Sequence, residues 1–280
     1  MNLDIDKHWI RQALNQARLA VGLAEPNPRV GCVLVGTDQR LLGVGHTQAI
    51  GQAHAEVMAL RDAAHNGEPV AGSTAYVTLE PCSHHGRTGP CCDAFVAAGV
   101  RRVVASIADP NPLVGGQGVA RLRAAGIAVT VGPGAAESRE LNIGFFSRML
   151  RKRPWVRMKV AASLDGRTAL DNGASQWITG PQARTDGHTW RARACVILTG
   201  IGTVRDDNPR LDVRLDGVRR QPRLVVVDSR LETPPAAQLF EPQRSVTLYA
   251  ALIDADRQQA LAQRGAQVVH MPGHTHATAS

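Results

Sequence analysis

The sequence predicts a two-domain α/β protein, and three observations carry that reading. Short apolar runs of strand length alternate with amphipathic stretches of helix length in both halves of the chain. The length, 280 residues, is enough for two cores. Between the halves, residues 146–154 (Phe-Ser-Arg-Met-Leu-Arg-Lys-Arg-Pro) turn basic, and Pro154 opens a new apolar run. That places the boundary between domains 1–150 and 151–280.

Taken in order, Ile10, Leu14, Ala17 and Val21 recur at helical spacing and predict a first helix over 8–23, ended by Pro26-Asn27-Pro28. The runs 30–35 and 41–44 flank Gly36-Thr37-Asp38-Gln39 and read as a hairpin. A helix follows His54-Ala55-Glu56, with Val57, Met58, Leu60, Ala63 and Ala64 as its apolar side. Then come a strand over 75–79 ending at Glu80-Pro81, a helix over 91–98, a strand over 102–107, a helix over 116–125 and a strand over 127–131. Such alternation implies a sheet covered on both faces, with its catalytic loops gathered at one rim. The second half reads as strand 155–161, helix 181–193, strands 195–199, 223–227 and 245–249, helix 254–264 and strand 267–269. The tail 272–280 is small and polar and reads as loop, so His270, His274 and His276 are not taken as a metal tract.

Composition narrows the function classes. Aromatic residues make up 4% of the chain, too few for the stacking platforms that hold single-stranded nucleic acid. The net charge of +8 is scattered arginine, with Lys7, Lys152 and Lys159 the only lysines, and reads as a solvated basic surface that also suits a phosphorylated small substrate. No apolar run approaches the roughly 18 residues of a membrane helix, and the first residues are polar. Five cysteines behind no secretory leader predict a cytoplasmic protein with reduced thiols.

The chemistry concentrates between His54 and Cys91. A catalytic zinc takes three protein ligands and leaves one position open, which His54, Cys82 and Cys91 can supply. Glu56 is then left for proton transfer. Residues two apart on a regular helix point to nearly opposite sides, so His54 and Glu56 can share one centre only at a helix mouth. Cys91 opens the next helix, where the dipole and a metal both favour its thiolate. A lone histidine before a helix usually caps or packs, and a buried cysteine usually packs; here four residue types fall in the order that zinc deaminases use, His-x-Glu and then Pro-Cys with a second Cys. Cys92 reads as packing. Eight residues separate Cys82 from Cys91, which points away from the nucleoside and nucleic-acid deaminases, whose cysteines are two residues apart.

With Pro26-Asn27-Pro28-x-Val30-Gly31, His54-Ala55-Glu56, Pro81-Cys82-Ser83-His84-His85-Gly86-Arg87-Thr88 and Asp109-Pro110-Asn111-Pro112 in this order, the chain resembles the bifunctional riboflavin-biosynthesis deaminase/reductase family. The resemblance implies a cytidine-deaminase-like α/β/α sandwich followed by a dihydrofolate-reductase-like α/β domain. It implies zinc-dependent deamination of diaminohydroxyphosphoribosylaminopyrimidine and then reduction of the ribosyl to a ribityl chain by NADPH. By the same match Asn27, His46, His84, Asp109 and Asn111 contact the pyrimidine or ribose phosphate, although turn and cap roles explain Asn27, Asp109 and Asn111 nearly as well.

The second half carries 159–167 (Lys-Val-Ala-Ala-Ser-Leu-Asp-Gly-Arg), Ser175-Gln176-Trp177-Ile178-Thr179, Gly200-Ile201-Gly202-Thr203-Val204 and Asp207-Asn208-Pro209-x-Leu211, which look like the family's reductase domain. The match implies that Ala161, Trp177, Thr203, Asp207 and Ser229 contact NADPH. It implies that Ser175, Arg191, Leu211 and Arg214 contact the substrate, the arginines gripping its phosphate. The Gly-rich strand-to-helix segment with which the family completes its cofactor site has no counterpart after Val269, so the reductase half is expected to be incomplete at its C-terminus, with exposed sheet edges and a homodimeric or higher assembly. Two other readings stand beside this one. A nucleoside or tRNA deaminase with an appended nucleotide-binding domain suits the charge but not the cysteine spacing. A structural zinc module needs a fourth ligand, which His84 or His85 would have to provide.

Overall fold

The structure, a computed structural model, describes residues 3–84, 89–112 and 114–271. It forms two compact units, Met1–Arg157 and Met158–Ser280. The first contains α1 (Leu3–Arg18), β1 (Gly31–Val35), β2 (Leu41–His46), α2 (Ala55–His65), β3 (Thr74–Val77), α3 (Cys91–Ala97), β4 (Arg102–Ala105), α4 (Gln117–Ala124), β5 (Ala128–Val131), α5 (Ala135–Leu141) and α6 (Ile143–Arg151).

Its five strands lie in the order β2-β1-β3-β4-β5. β1 pairs antiparallel with both neighbours, and β3, β4 and β5 run parallel. Because side chains alternate across a sheet, Cys32, Leu34, Ala75, Val77, Val103 and Ala105 face one core with α2, α3 and α4, while Val33, Val35, Tyr76 and Val104 face another with Ile10, Ala13 and Leu14 of α1. The α/β/α expectation is met. Strand directions bring the start of β1 and the ends of β2, β3 and β4 to one rim, the carboxyl rim where α/β sheets bind ligands.

The helix α2 can lie against β2 because Gly45 has no side chain: a Cβ there would stand 2.3 Å from the Ala55 carbonyl and 2.4 Å from the Ala59 amide. Gly45→Ala should therefore lower the stability of the first unit by about 2–3 kcal/mol, the usual cost of overpacking, and its melting temperature by about 5–10 °C. Gly144→Ala, in α6 with open space around it, serves as the neutral control in the same thermal melt.

α1 begins five residues before the expected start. Asp4 and Asp6 favour its first turn, and Asp6, 1% exposed, is gripped by Arg102 on β4 at 2.7 and 2.8 Å. α6 forms over much of the stretch that the sequence reads as a basic run and α5 forms just before it, where the sequence reading places no element; they break at Asn142, whose side chain turns back to hold the Arg29 backbone in both directions (2.8 and 3.0 Å).

The second unit contains α7 (Pro181–Arg193), β6 (Val196–Gly200), α8 (Ile201–Asp207), β7 (Arg223–Val227), β8 (Val246–Ala250), α9 (Ala255–Gln263) and β9 (Ala266–His270). The strands run parallel in the order β6-β7-β8-β9 over a core of Leu224, Val226, Leu248 and Leu261. The expected strand over 155–161 does not form: strands exist through ladder hydrogen bonds, and this segment pairs with no strand among the described residues. Its Val156 and Met158 are 80% and 85% exposed. α8, a helix that the sequence reading does not give, continues directly from β6. No helix among the described residues is long and apolar enough to cross a membrane.

Candidate metal centre and active site

The metal centre is assembled from two connections at the carboxyl rim of the first sheet, β2–α2 and β3–α3. His54 is the N-cap of α2, with extended backbone (φ −77°, ψ 168°) and a ring that makes no capping bond, so it is free to turn toward the rim. Cys82 follows β3, and Cys91 is the first residue of α3 behind Pro90. The Cys82 and Cys91 sulfurs stand 3.6 and 3.4 Å from His54 Nδ1, and all three donors lie within 4.8 Å of one another. In a tetrahedral site with Zn–N of about 2.0–2.1 Å and Zn–S of about 2.3 Å, a nitrogen and a sulfur ligand stand about 3.5 Å apart, so the spacing fits zinc without rearrangement. The borderline-soft donor set fits it as well. Among the described residues the cluster has three donors, the pattern of an open site; His84 does not join it, and His85 lies outside the described residues.

Electrostatics at the centre follow from burial and from the two sulfurs. The hydrogen bond from the Cys91 thiol, aided by His54, pulls the Cys82 pKa down to about 4, and the Cys91 amide donates to Cys82 Sγ at 3.3 Å. The same Cys82 sulfur and burial push Cys91 up. A divalent cation between them favours both thiolates. Cys82 raises the His54 pKa. Glu56, in the first turn of α2 and 3% exposed, has its carboxyl pushed up to about 7, first by burial and then by Cys82, against the pull of His54.

His54, Glu56 and Cys82 open onto a cavity of about 430 Å³. Of the expected substrate contacts, Asn27, His84, Asp109 and Asn111 line it together with His54, Glu56 and Cys82. His46, at the end of β2, stands outside the lining, and its neighbour Thr47 takes that place. Of the eight residues that separate Cys82 from Cys91, 85–88 lie outside the described residues. Cys92 is buried in the core, as expected, with its thiol directed at the Pro81 and Gly118 carbonyls (3.4 and 3.5 Å).

In the second unit the expected contacts fall into two groups. Thr203 and Asp207 lie on α8 after β6, and Ser229 follows β7; the two strands are adjacent, so these residues share the carboxyl rim of the sheet. Ser175 joins them by donating to Asp207 at 3.1 Å. Ala161 is half-buried, and Trp177 is exposed with Arg184 over its ring at 4.5 Å. Arg191 donates to the Asp212 carbonyl (3.2 Å) while Arg214 pairs with the Asp212 carboxylate. Burial and then Arg214 lower the Arg191 pKa, the mark of two cations brought close. Leu211 sits beside them at φ 52°, its carbonyl held by Arg244, whose own pKa burial pushes down to about 10.

Comparison with known proteins agrees with this geometry. The family description "Cytidine and deoxycytidylate deaminase zinc-binding region" matches residues 3–107, and "RibD C-terminal domain" matches 154–275. The riboflavin biosynthesis protein RibD of Aquifex aeolicus is 41% identical over 96% of this chain and 75% of its own length. The chain belongs to the RibD family of riboflavin biosynthesis proteins. That of Escherichia coli is 48% identical over 84% of this chain and 66% of its own length. Among solved structures, Acinetobacter baumannii RibD aligns with a TM-score of 0.84 at 42% identity, covering 99% of this chain and 77% of that one. A diaminohydroxyphosphoribosylaminopyrimidine deaminase/5-amino-6-(5-phosphoribosylamino)uracil reductase from Thermotoga maritima aligns at 0.83 and 32% identity, over 95% of this chain and 81% of that one. Family membership places the chain among enzymes of riboflavin biosynthesis that join a zinc-dependent deaminase to an NADPH-dependent reductase.

Four residues that shape these sites escape a reading of the sequence. Glu80 and Asn142 fix loops at the cavity of the first unit, Thr47 accepts from the Val30 amide at 3.0 Å beside it, and Arg244 fixes Leu211 in the second. Glu80 has the only local signal of the four, its place two residues before Cys82, but its role depends on the distant Asp109, Gly116 and Val119 amides.

Proposed function

We propose that this chain hydrolyses the amino group of 2,5-diamino-6-(5-phosphoribosylamino)pyrimidin-4(3H)-one, giving 5-amino-6-(5-phosphoribosylamino)uracil and ammonia, in its N-terminal unit. Its C-terminal unit then reduces the ribosyl to a ribityl chain with NADPH. The observation that carries the first step is the convergence of three donors at zinc-ligand spacing, two of which, His54 and Cys82, line one cavity with the buried Glu56 carboxyl. His54, Cys82 and Cys91 hold zinc, which supplies Lewis acidity and a water acidified enough to react at neutral pH.

The remaining work falls to side chains. Glu56, with a pKa of about 7, both accepts and returns a proton near neutrality. It takes one proton of the attacking water and delivers it to the ring nitrogen, then takes the second from the hydroxyl that becomes the carbonyl and passes it to the amino group, which leaves as ammonia. Asn27, His84, Asp109 and Asn111 orient the pyrimidine and its ribose phosphate from the cavity wall. In the second unit Thr203, Asp207 and Ser229 hold NADPH at the sheet rim, with Ala161 and Trp177 as its further contacts, and Ser175, Arg191, Leu211 and Arg214 hold the substrate, the paired guanidinium groups receiving its phosphate. Neither unit calls for nucleic acid or a membrane. The free cysteines support a cytoplasmic setting, and the apolar side chains open at Val156, Met158 and Leu198 support a homodimer or higher homo-oligomer.

Metal content and ammonia release from the diaminopyrimidine phosphate, measured with and without NADPH, test the proposal. One zinc per chain and NADPH-independent ammonia are expected, with nicotinamide oxidation following deamination. Ammonia from cytidine or adenosine, and none from the diaminopyrimidine phosphate, overturns it.

A further inference from the structure

Glu80 is 4% exposed and immediately precedes the turn that carries Cys82. Its described partners are three backbone amides of one segment. Oε2 accepts from Asp109 (3.0 Å) and Gly116 (2.9 Å), and Oε1 accepts from Val119 (3.1 Å). Gly116 is the N-cap of α4, and that helix has no side-chain cap of its own, so the Glu80 carboxylate caps it from another loop.

Two further contacts tie the same pair of segments. Gly118 lies so close that a Cβ on it would stand 2.0 Å from the Pro81 carbonyl. Cys92, which the metal chemistry leaves unused, bridges Pro81 and Gly118 with its thiol at 3.4 and 3.5 Å. On one side of this junction is the turn bearing Cys82. On the other is the segment bearing Asp109 and Asn111, where the Asp109 carboxylate already accepts from the Asn111 amide at 2.8 Å. Asp109 and Asn111 line the cavity with the metal donors.

We propose that Glu80 is a positioning residue for deamination: by clamping the Asp109, Gly116 and Val119 amides it sets Asp109 and Asn111 at a fixed distance from the Cys82 turn, and so fixes substrate placement without touching substrate or metal. This rests on the deaminase reading of the cavity. Glu80→Gln keeps the size of the side chain but turns an NH2 group toward amides that need an acceptor.

In zinc-loaded protein, Glu80→Gln is expected to raise KM for the diaminopyrimidine phosphate about 10- to 100-fold, the range typical of outer-shell supports, while kcat stays within about threefold and zinc remains at one per chain. Hydrogen exchange at the Asp109, Gly116 and Val119 amides should accelerate about tenfold or more, while Val103 and Val104 in β4 stay protected. Unchanged exchange overturns the clamp, and faster exchange with unchanged KM overturns its positioning role. Loss of kcat in parallel with loss of zinc also overturns it, because Glu80 would then support the metal loop alone. Should Glu80→Gln not fold, Glu80→Asp, which keeps the charge but is too short to reach all three amides, is read by the same measures. Wild-type protein that releases no ammonia from this substrate counts against the deaminase reading; the exchange measurement still tests the clamp.

Discussion

Glu56→Gln should lose about 10³-fold in ammonia release and still bind one zinc per chain. Two features of the site set that expectation. Glu56 is outside the donor cluster of His54, Cys82 and Cys91, so its amide removes no metal ligand. It is 3% exposed on the first turn of α2, so few water molecules can reach it to replace its proton transfers. A carboxyl held at about 7 by burial is close to evenly protonated at neutral pH, the condition under which one group serves as base in attack and as acid in departure. An amide does neither, and it matches the carboxyl in volume, so packing against the core is undisturbed. Zinc stoichiometry and ammonia release on the same preparation separate the outcomes. Activity within tenfold of wild type would remove Glu56 as the proton carrier, and loss of zinc would make it part of the metal support.

The His-x-Glu and Cys spacing was legible in the sequence because its meaning is local. His54 and Glu56 can converge only at a helix mouth, and the apolar side of the following residues places that mouth. Alternating strands and helices likewise gave the sheet and its rim. What stayed hidden depends on partners far away in the chain. Asp6 pairs with Arg102, so the start of α1 is stabilised from β4. Asn142 breaks α5 from α6 by holding Arg29, 113 residues distant. Glu80 looks like an ordinary loop acid until the 109–119 segment folds over it. The segment 155–161 shows the opposite failure. Its composition favours a strand, but propensity supplies no ladder partner, and the apolar side chains stay exposed.

Cys91→Ser should abolish both zinc retention and deamination, whereas Cys92→Ala should keep its zinc. The two thiols are neighbours in sequence, both buried and both at the start of α3, so sequence position alone separates them poorly. Geometry separates them well. Cys91 Sγ stands 3.4 Å from His54 Nδ1, and Cys92 Sγ faces the Pro81 and Gly118 carbonyls. With Cys91 replaced, two donors remain, and a hydroxyl at that position is a far weaker ligand than a thiolate. The loss in zinc affinity should exceed about 100-fold, the upper end of what outer-shell changes alone cost. Binding also stabilises the fold: at free zinc about 1,000-fold above Kd the gain is about 4 kcal/mol, so the Cys91→Ser protein should melt at a zinc-independent temperature. Titration with a chelator, read by melting temperature and by ammonia release together, checks this. If Cys92→Ala lost its metal while Cys91→Ser kept it, the ligand assignment would be reversed, and α3 would have to enter the site in a different register from the one that buries Phe95 in the core.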